Sequence, residues 1–208
     1  MKRVRPRLIA ITDTDVAEPA LLERRALRLA RIAIPGSVLI QLRDLGLPLR
    51  ARLELGRRIG AAAHEHQQYW CVNDRIDLAL LLGADGVHLG ERGILPADAR
   101  ALLGERAWIS IARHDLNRIS ASNANAILLA PILAARKGAP PLGLEALRRA
   151  RAILTSESGT LLYALGGIDA GNVRSCLEAG ADGVAAIRAV FGTDAPERLL
   201  EALQIRAG

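Results

Sequence analysis

Short, unbroken runs of aliphatic residues alternate along the chain with longer stretches in which apolar residues recur at three- and four-residue spacing. The runs are Leu8–Thr12, Val38–Leu42, Tyr69–Val72, Gly86–Leu89, Trp108–Ala112, Ala126–Ala130, Leu161–Leu165 and Gly183–Ile187. Runs of this length without polar alternation are the pattern of strands covered on both faces, as in a parallel sheet. Between them, Ala20–Ala33, Leu49–His64, Ile76–Leu82, Pro96–Leu103, Leu144–Thr155 and Gly171–Ala179 carry helical periodicity. Regular alternation of strand and helix over eight units predicts an α/β fold closed into a (β/α)8 TIM barrel, one domain spanning residues 1–208, rather than an open doubly wound sheet.

An internal echo supports closure. Gly83-Ala84-Asp85-Gly86-Val87 recurs as Gly180-Ala181-Asp182-Gly183-Val184, before the fourth and the eighth strand. In each copy the first glycine suits the left-handed end of a helix and the rest opens the next strand. Both copies fall on the amino side of the sheet, so their role is structural.

Composition agrees with buried strands under aliphatic helices. Half of the 208 residues are hydrophobic, and the aromatics are two Trp, two Tyr and one Phe. No run approaches the ~18 apolar residues that span a bilayer. The basic start Met1–Arg7 lacks the apolar stretch of a secretory signal, so the expectation is a cytoplasmic protein without membrane contact. Cys71 and Cys176 lie far apart with no metal-ligand spacing and read as small buried hydrophobes. The net charge of +6 comes from arginines scattered over amphipathic helices. Nucleic-acid binding would need a clustered stripe and stacking aromatics, so it is excluded as the main function. Self-association into a homo-oligomer is compatible with the sequence and not decided by it.

In a barrel the chemistry lies at the carboxyl ends of the strands. After strand seven comes Gly166-Gly167-Ile168-Asp169, and after strand eight Ile187-Arg188. A glycine pair there lets backbone N–H groups approach a phosphate, although a tight turn explains the pair equally well. Arg188 either adds a charge-assisted contact or is a solvated surface arginine. Strand two ends Gln41-Leu42-Arg43-Asp44, and alternation puts Gln41 and Arg43 on one side. Buried polar groups of that kind need polar partners, such as a diphosphate or a ring with hydrogen-bonding edges. Asn73-Asp74 just past strand three suits an oxygen-ligand Mg²⁺ or, alternatively, the N-cap of the next helix. The long loop Pro131–Gly143 reads as a lid, with Lys137 able to reach a phosphate.

Gln41-Leu42-Arg43-Asp44, Val72-Asn73-Asp74-Arg75, Gly83–Gly90, Pro131-Ile132, Ala139–Gly143 and Ala164–Ile168 occur in order over almost the whole chain. The ordered set resembles the thiamine phosphate synthase and thiazole tautomerase superfamily of TIM barrels. The resemblance implies coupling of 4-amino-5-hydroxymethyl-2-methylpyrimidine diphosphate to a thiazole phosphate, with release of pyrophosphate and use of Mg²⁺. It implies that Arg43, Asn73 and Lys137 hold the diphosphate, with Arg43 and Lys137 acting in catalysis. By the same resemblance Asp74 holds the metal, Gln41 the pyrimidine side, and Gly166, Gly167 and Ile187 the thiazole phosphate.

Four positions depart from the superfamily pattern. Its lysine after strand two is Leu45, its second metal aspartate falls at Gly93, with Glu91 the substitute metal ligand, its serine after strand five is Ala112, and its Thr-rich loop shortens to Ala134-Ala135-Arg136. The alternative functions are a tautomerase, whose catalytic histidine would fall at Pro131, and a catalytically silent binder of thiazole phosphate or thiamine phosphate. His88 and His114 read as structural, with His114 opening a helix.

Overall fold

The computed structural model describes residues 5–44, 46–120, 123–135, 138–154 and 159–207. Eight parallel strands close into a barrel in sequence order: β1 (Leu8–Ile11), β2 (Val38–Leu42), β3 (Tyr69–Asn73), β4 (Gly86–Leu89), β5 (Trp108–Arg113), β6 (Ala126–Leu129), β7 (Leu161–Leu165) and β8 (Gly183–Ala186). β1 pairs with β8 through Leu8↔Val184, Ile9↔Ala185 and Ala10↔Ala186, which shuts the cylinder. The strands are largely apolar and mostly buried, because helices cover them outside and side chains fill them inside.

The helices are α1 (Pro19–Ile32), α2 (Leu49–Glu65), α3 (Ile76–Leu82), α4 (Pro96–Leu103), α5 (Gly143–Ile153), α6 (Val173–Glu178), α7 (Arg188–Phe191) and α8 (Glu197–Ala202). Among the described residues none is long and apolar enough to cross a membrane. The expected helix at His114 is absent. Between β5 and β6 the chain makes one 3-10 turn, Leu116–Arg118, whose Asp115 side chain accepts from the N–H groups of Asn117 and Arg118. A segment this short and polar has no apolar stripe to hold a helix on the sheet.

Alternation along the strands sorts the core into two layers. Ile9, Ile11, Leu39, Cys71, Trp108, Ala126, Leu128, Tyr163 and Ala185 fill the barrel, with Trp108 and Tyr163 edge to face at 6.3 Å. The alternate residues, Leu8, Ile40, Val72, Val87, Ile109, Leu162 and Val184 among them, pack outward against the helices. Both cysteines are buried, and burial raises both thiols, Cys176 to about 11, so they are inert fillers as expected. The echoed glycines do their expected work: Gly83 ends α3 at φ 63° and Gly180 follows α6 at φ 101°.

Candidate active site

Two adjoining chambers open at the carboxyl ends of the strands. The larger, about 1020 Å³, is walled by Gln41, Asn73, Asp74, His88, Glu91, Ala112 and His114, among others. The smaller, about 300 Å³, is walled by Asp13, Asp15, Gly166, Gly167, Ile168 and Arg188, among others. Arg43, Ala130, Leu165 and Ile187 line both, so they form the partition.

The small chamber brings together what the sequence separates by more than a hundred residues. Gly166 and Gly167 turn the chain after β7 at φ 105° and 74°, a left-handed pair that side chains rarely adopt. Their carbonyl side is tied to the β6 loop, where Leu133 N–H donates to the Gly166 carbonyl at 2.9 Å. A Cβ on Gly167 would lie 2.7 Å from the Ala134 methyl carbon. Among the described residues, the N–H groups of Gly166, Gly167 and Ile168 have no protein acceptor. Backbone donors left free in a left-handed turn suit an anion. Arg188 is exposed at this chamber's edge.

Arg43 is not a free cation. Its guanidinium pairs with Asp13, whose Oδ1 accepts from the Asp15 N–H at 3.1 Å. Thr12 stitches the same two strand ends, donating to the Asp44 carboxylate and accepting from the Arg43 N–H at 3.1 Å. Burial raises the Asp44 pKa above its ordinary value, against the lowering effect of the Thr12 hydrogen bond. These partners were not anticipated from the sequence. The one local signal is an Asp just past a strand end in Thr12-Asp13, which does not say which residue it meets.

In the large chamber the polar residues form a chain. Gln41 Nε2 donates to Asn73 Oδ1 at 2.8 Å, Asn73 Nδ2 donates to Asp74 Oδ2 at 2.7 Å, and the Gly90 N–H donates to Asp74 Oδ1 at 2.6 Å. Gln41 is buried, and its Oε1 has no hydrogen-bond partner among the described residues. The helix-cap alternative for Asp74 fails, since α3 begins after Arg75 without any side-chain cap. Asp74 instead sits at φ 58° and ties β3 to the loop after β4.

Each carboxylate oxygen of Asp74 keeps a lone pair beyond its one hydrogen bond, so the residue fits a hard cation that takes few protein ligands. Among the described residues no cluster of three or more His, Cys, Asp or Glu surrounds it. A side chain at Gly93 would begin 3.5 Å from Asp74 Oδ1, so the glycine leaves that flank bare. Glu91 turns elsewhere: its Oε2 meets His114 Nδ1 at 2.9 Å, and Arg118 lies 3.9 Å from Oε1. His114 therefore stands at the chamber rim, hydrogen-bonded to Glu91.

His88, expected to be structural, bonds Ser110 Oγ at 2.9 Å in the barrel and also reaches the chamber. Burial holds its pKa down to about 4, so the ring is neutral. Arg75 pairs with Asp77 on the surface rather than entering the site. The ends of the loop after β6 are pinned, with Leu142 N–H donating to the Pro131 carbonyl and Gly143 N–H to that of Ile132. Lys137, Arg136 and Leu45 lie outside the described residues.

Comparison with known proteins agrees with this architecture. A family model described as thiamine monophosphate synthase matches residues 8–190. A putative thiamine-phosphate synthase of Geobacter sulfurreducens is 36% identical over 210 residues, 98% of this chain and 95% of the relative. The thiamine-phosphate synthase of Gloeobacter violaceus is 36% identical over 168 residues, 78% of this chain, and the match spans only 48% of that longer protein. Among solved structures, thiamine phosphate pyrophosphorylase from Pyrococcus furiosus superposes with a TM-score of 0.78 at 28% identity, covering 97% of this chain and 95% of the other. The chain belongs to the thiamine monophosphate synthase family.

Proposed function

We propose that the protein is a thiamine phosphate synthase: it joins the hydroxymethylpyrimidine diphosphate to the thiazole phosphate, giving thiamine phosphate and pyrophosphate. The observation that carries the reading is the shared partition. Arg43 from β2 stands between a chamber with free backbone donors at Gly166 and Gly167 and a larger one with polar groups at its floor and rim.

Bond-making in this reaction needs the C–O bond between the pyrimidine methylene and the diphosphate to break, the diphosphate leaving with the electron pair. The thiazole nitrogen then gives its lone pair to the methylene carbon. No side chain need act as nucleophile, so the protein's work is to neutralise the leaving group and hold the partners in line. In this reading Gly166, Gly167, Ile187 and Arg188 hold the thiazole phosphate. Arg43, Asn73 and Lys137 hold the diphosphate, and Gln41 meets the pyrimidine. Mg²⁺, when bound, would sit on Asp74 and take up charge developing on the diphosphate. A share of that ion for Glu91 requires its release from His114. In this reading the protein works in the cytoplasm.

A second reading is favoured by one feature: the site lacks groups where Gly93 flanks Asp74 and Ala112 meets the chamber. A cation site with fewer ligands lowers the rate by roughly tenfold for each 1.4 kcal/mol of stabilisation lost. A protein so weakened would bind thiamine phosphate without making it. Mg²⁺-dependent pyrophosphate release from the two substrates decides between them. The synthase predicts release with multiple turnovers. Absence of release at saturating enzyme, with thiamine phosphate still bound in calorimetry, would leave the silent binder, and absence of both would remove the family ligand.

A further inference from the structure

The hydrogen-bond chain across the floor of the large chamber has a direction, and one residue sets it. A carboxylate offers only acceptors, so the group that Asn73 turns to Asp74 Oδ2 must be its NH2. The Asn73 oxygen is then left facing Gln41, which must answer with its own NH2. The remaining Gln41 atom, Oε1, is buried, lacks a hydrogen-bond partner among the described residues, and belongs to a side chain lining the chamber. The amide orientations of Asn73 and Gln41 thus follow from the chemistry of Asp74. A metal ion on Asp74 would leave the logic unchanged, because a coordinated carboxylate still has no proton to give.

We infer that Asp74, acting through Asn73, fixes Gln41 so that the chamber floor presents an acceptor, and thereby selects a heteroaromatic ring carrying an amine over one carrying a carbonyl at the same position. The inference rests on the pyrimidine reading above and deepens it. A buried acceptor left facing another acceptor is costly, whereas an amine N–H satisfies it. Asn73 and Asp74 are here positioning residues for specificity, in addition to any contact they make with the diphosphate.

The Gly90 N–H makes the relay reversible in a defined way. It holds Oδ1 of residue 74, so Asp74→Asn must turn its NH2 towards Asn73. Asn73 must then flip, Gln41 must follow, and the floor becomes a donor. Asn73→Leu instead cuts the relay and leaves Gln41 free to take either orientation.

The test uses the full chain with a chelator present, so that metal binding plays no part, and titrates 4-amino-5-hydroxymethyl-2-methylpyrimidine and its 4-oxo counterpart by ligand-observed NMR. Thermal unfolding checks that each variant is folded, and the near-isosteric Asp74→Asn on an exposed residue keeps the test open if Asn73→Leu does not fold. The wild type is expected to prefer the amine by roughly tenfold to a hundredfold. Asn73→Leu is expected to bring the two within about threefold, and Asp74→Asn to invert the preference. Wild-type preference for the amine retained in both variants would overturn the relay while leaving the synthase reading intact. Binding of neither ring by the wild type would overturn the pyrimidine reading, and the relay with it.

Discussion

The two rims of the barrel are built from the same residue types and treat them in opposite ways. At the amino rim, polar side chains just before β3, β4, β6 and β8 clamp the preceding strand. Asp85 Oδ2 accepts from the Trp70 N–H at 2.9 Å and meets His64 Nε2 at 3.2 Å. Asn125 Oδ1 accepts from the Ile109 N–H and from Arg100, each at 2.8 Å. Asp182 Oδ2 accepts from the Leu162 N–H at 2.7 Å and pairs with Arg151. Gln68 takes the Val38 N–H at 3.1 Å and donates to carbonyls at the end of α1 and just beyond. At the carboxyl rim, by contrast, Gln41 Oε1 and Asp44 Oδ1 are buried without a hydrogen-bond partner among the described residues, and Glu91 Oε1 has only Arg118, 3.9 Å away. A satisfied clamp stabilises, whereas an orphaned acceptor costs about 1–3 kcal/mol until something meets it. Two buried indole N–H groups near the strand starts, Trp70 Nε1 and Trp108 Nε1, also lack partners among the described residues, but the unmet carboxylate and amide oxygens gather at the carboxyl rim, beside the site.

The largest effect that would sharpen this contrast is expected at Gly167. In Gly167→Ala the new methyl would lie 2.7 Å from the Ala134 Cβ and 2.9 Å from its nitrogen, at a backbone φ of 74°. The turn must shift, and its N–H groups with it. Affinity for thiamine phosphate, read by calorimetry, is expected to fall by roughly tenfold to a hundredfold, while the strain costs about 1–2 kcal/mol of stability. Unchanged affinity would mean that the glycine turn is only a turn. The converse change is Asp182→Ala, which leaves the Leu162 N–H and Arg151 without their shared acceptor. It is expected to cost about 2 kcal/mol and lower Tm by roughly 4–8 °C, with ligand affinity held within about twofold because the site is at the far end. A loss of affinity as large as that of Gly167→Ala would break the division between the rims.

How much of this was legible in the sequence follows from the range of the forces involved. β2, β4 and β7 end where their apolar runs end, at Arg43, Gly90 and Gly166. The Gly-Ala-Asp-Gly-Val echo gave the cap and the strand entry, but not the clamp, since the Asp partners sit a helix and a strand away. At the site, alternation alone put Gln41 and Arg43 on the inner face. The Asp13–Arg43 pair and the Gln41–Asn73–Asp74 relay were out of reach, because each depends on the stagger of neighbouring strands, as in Gln41↔Cys71, which no local pattern encodes. The 3-10 turn after β5 shows the opposite failure: a helix is expected to open at His114, and the segment lacks the apolar stripe that would hold one.

The smallest expected effect concerns the layer between the rims, where His88 and Ser110 pair across β4 and β5. Burial is the chief reason the His88 pKa falls to about 4, with the nearby Asp74 charge raising it and Arg43 and His114 lowering it. An unfolded chain would titrate this histidine near 6.5. Between about 4 and 6.5 the unfolded state therefore binds more protons than the folded one, so stability rises with pH through that window and is flat above it. The slope from this one group is at most about 1.4 kcal/mol per pH unit. Asp44 works in the other direction: its raised carboxyl makes stability fall as pH climbs through the unfolded carboxylate range and up to the folded value. Because Asp44 is common to both proteins, the difference between wild type and His88→Gln isolates the histidine. The variant is expected to lose less stability than wild type when pH drops from 6.5 to 4.5, as followed by denaturant unfolding. Parallel curves for the two proteins would mean that His88 takes up its proton as readily when folded, and that the middle layer belongs with the open rim rather than the closed one.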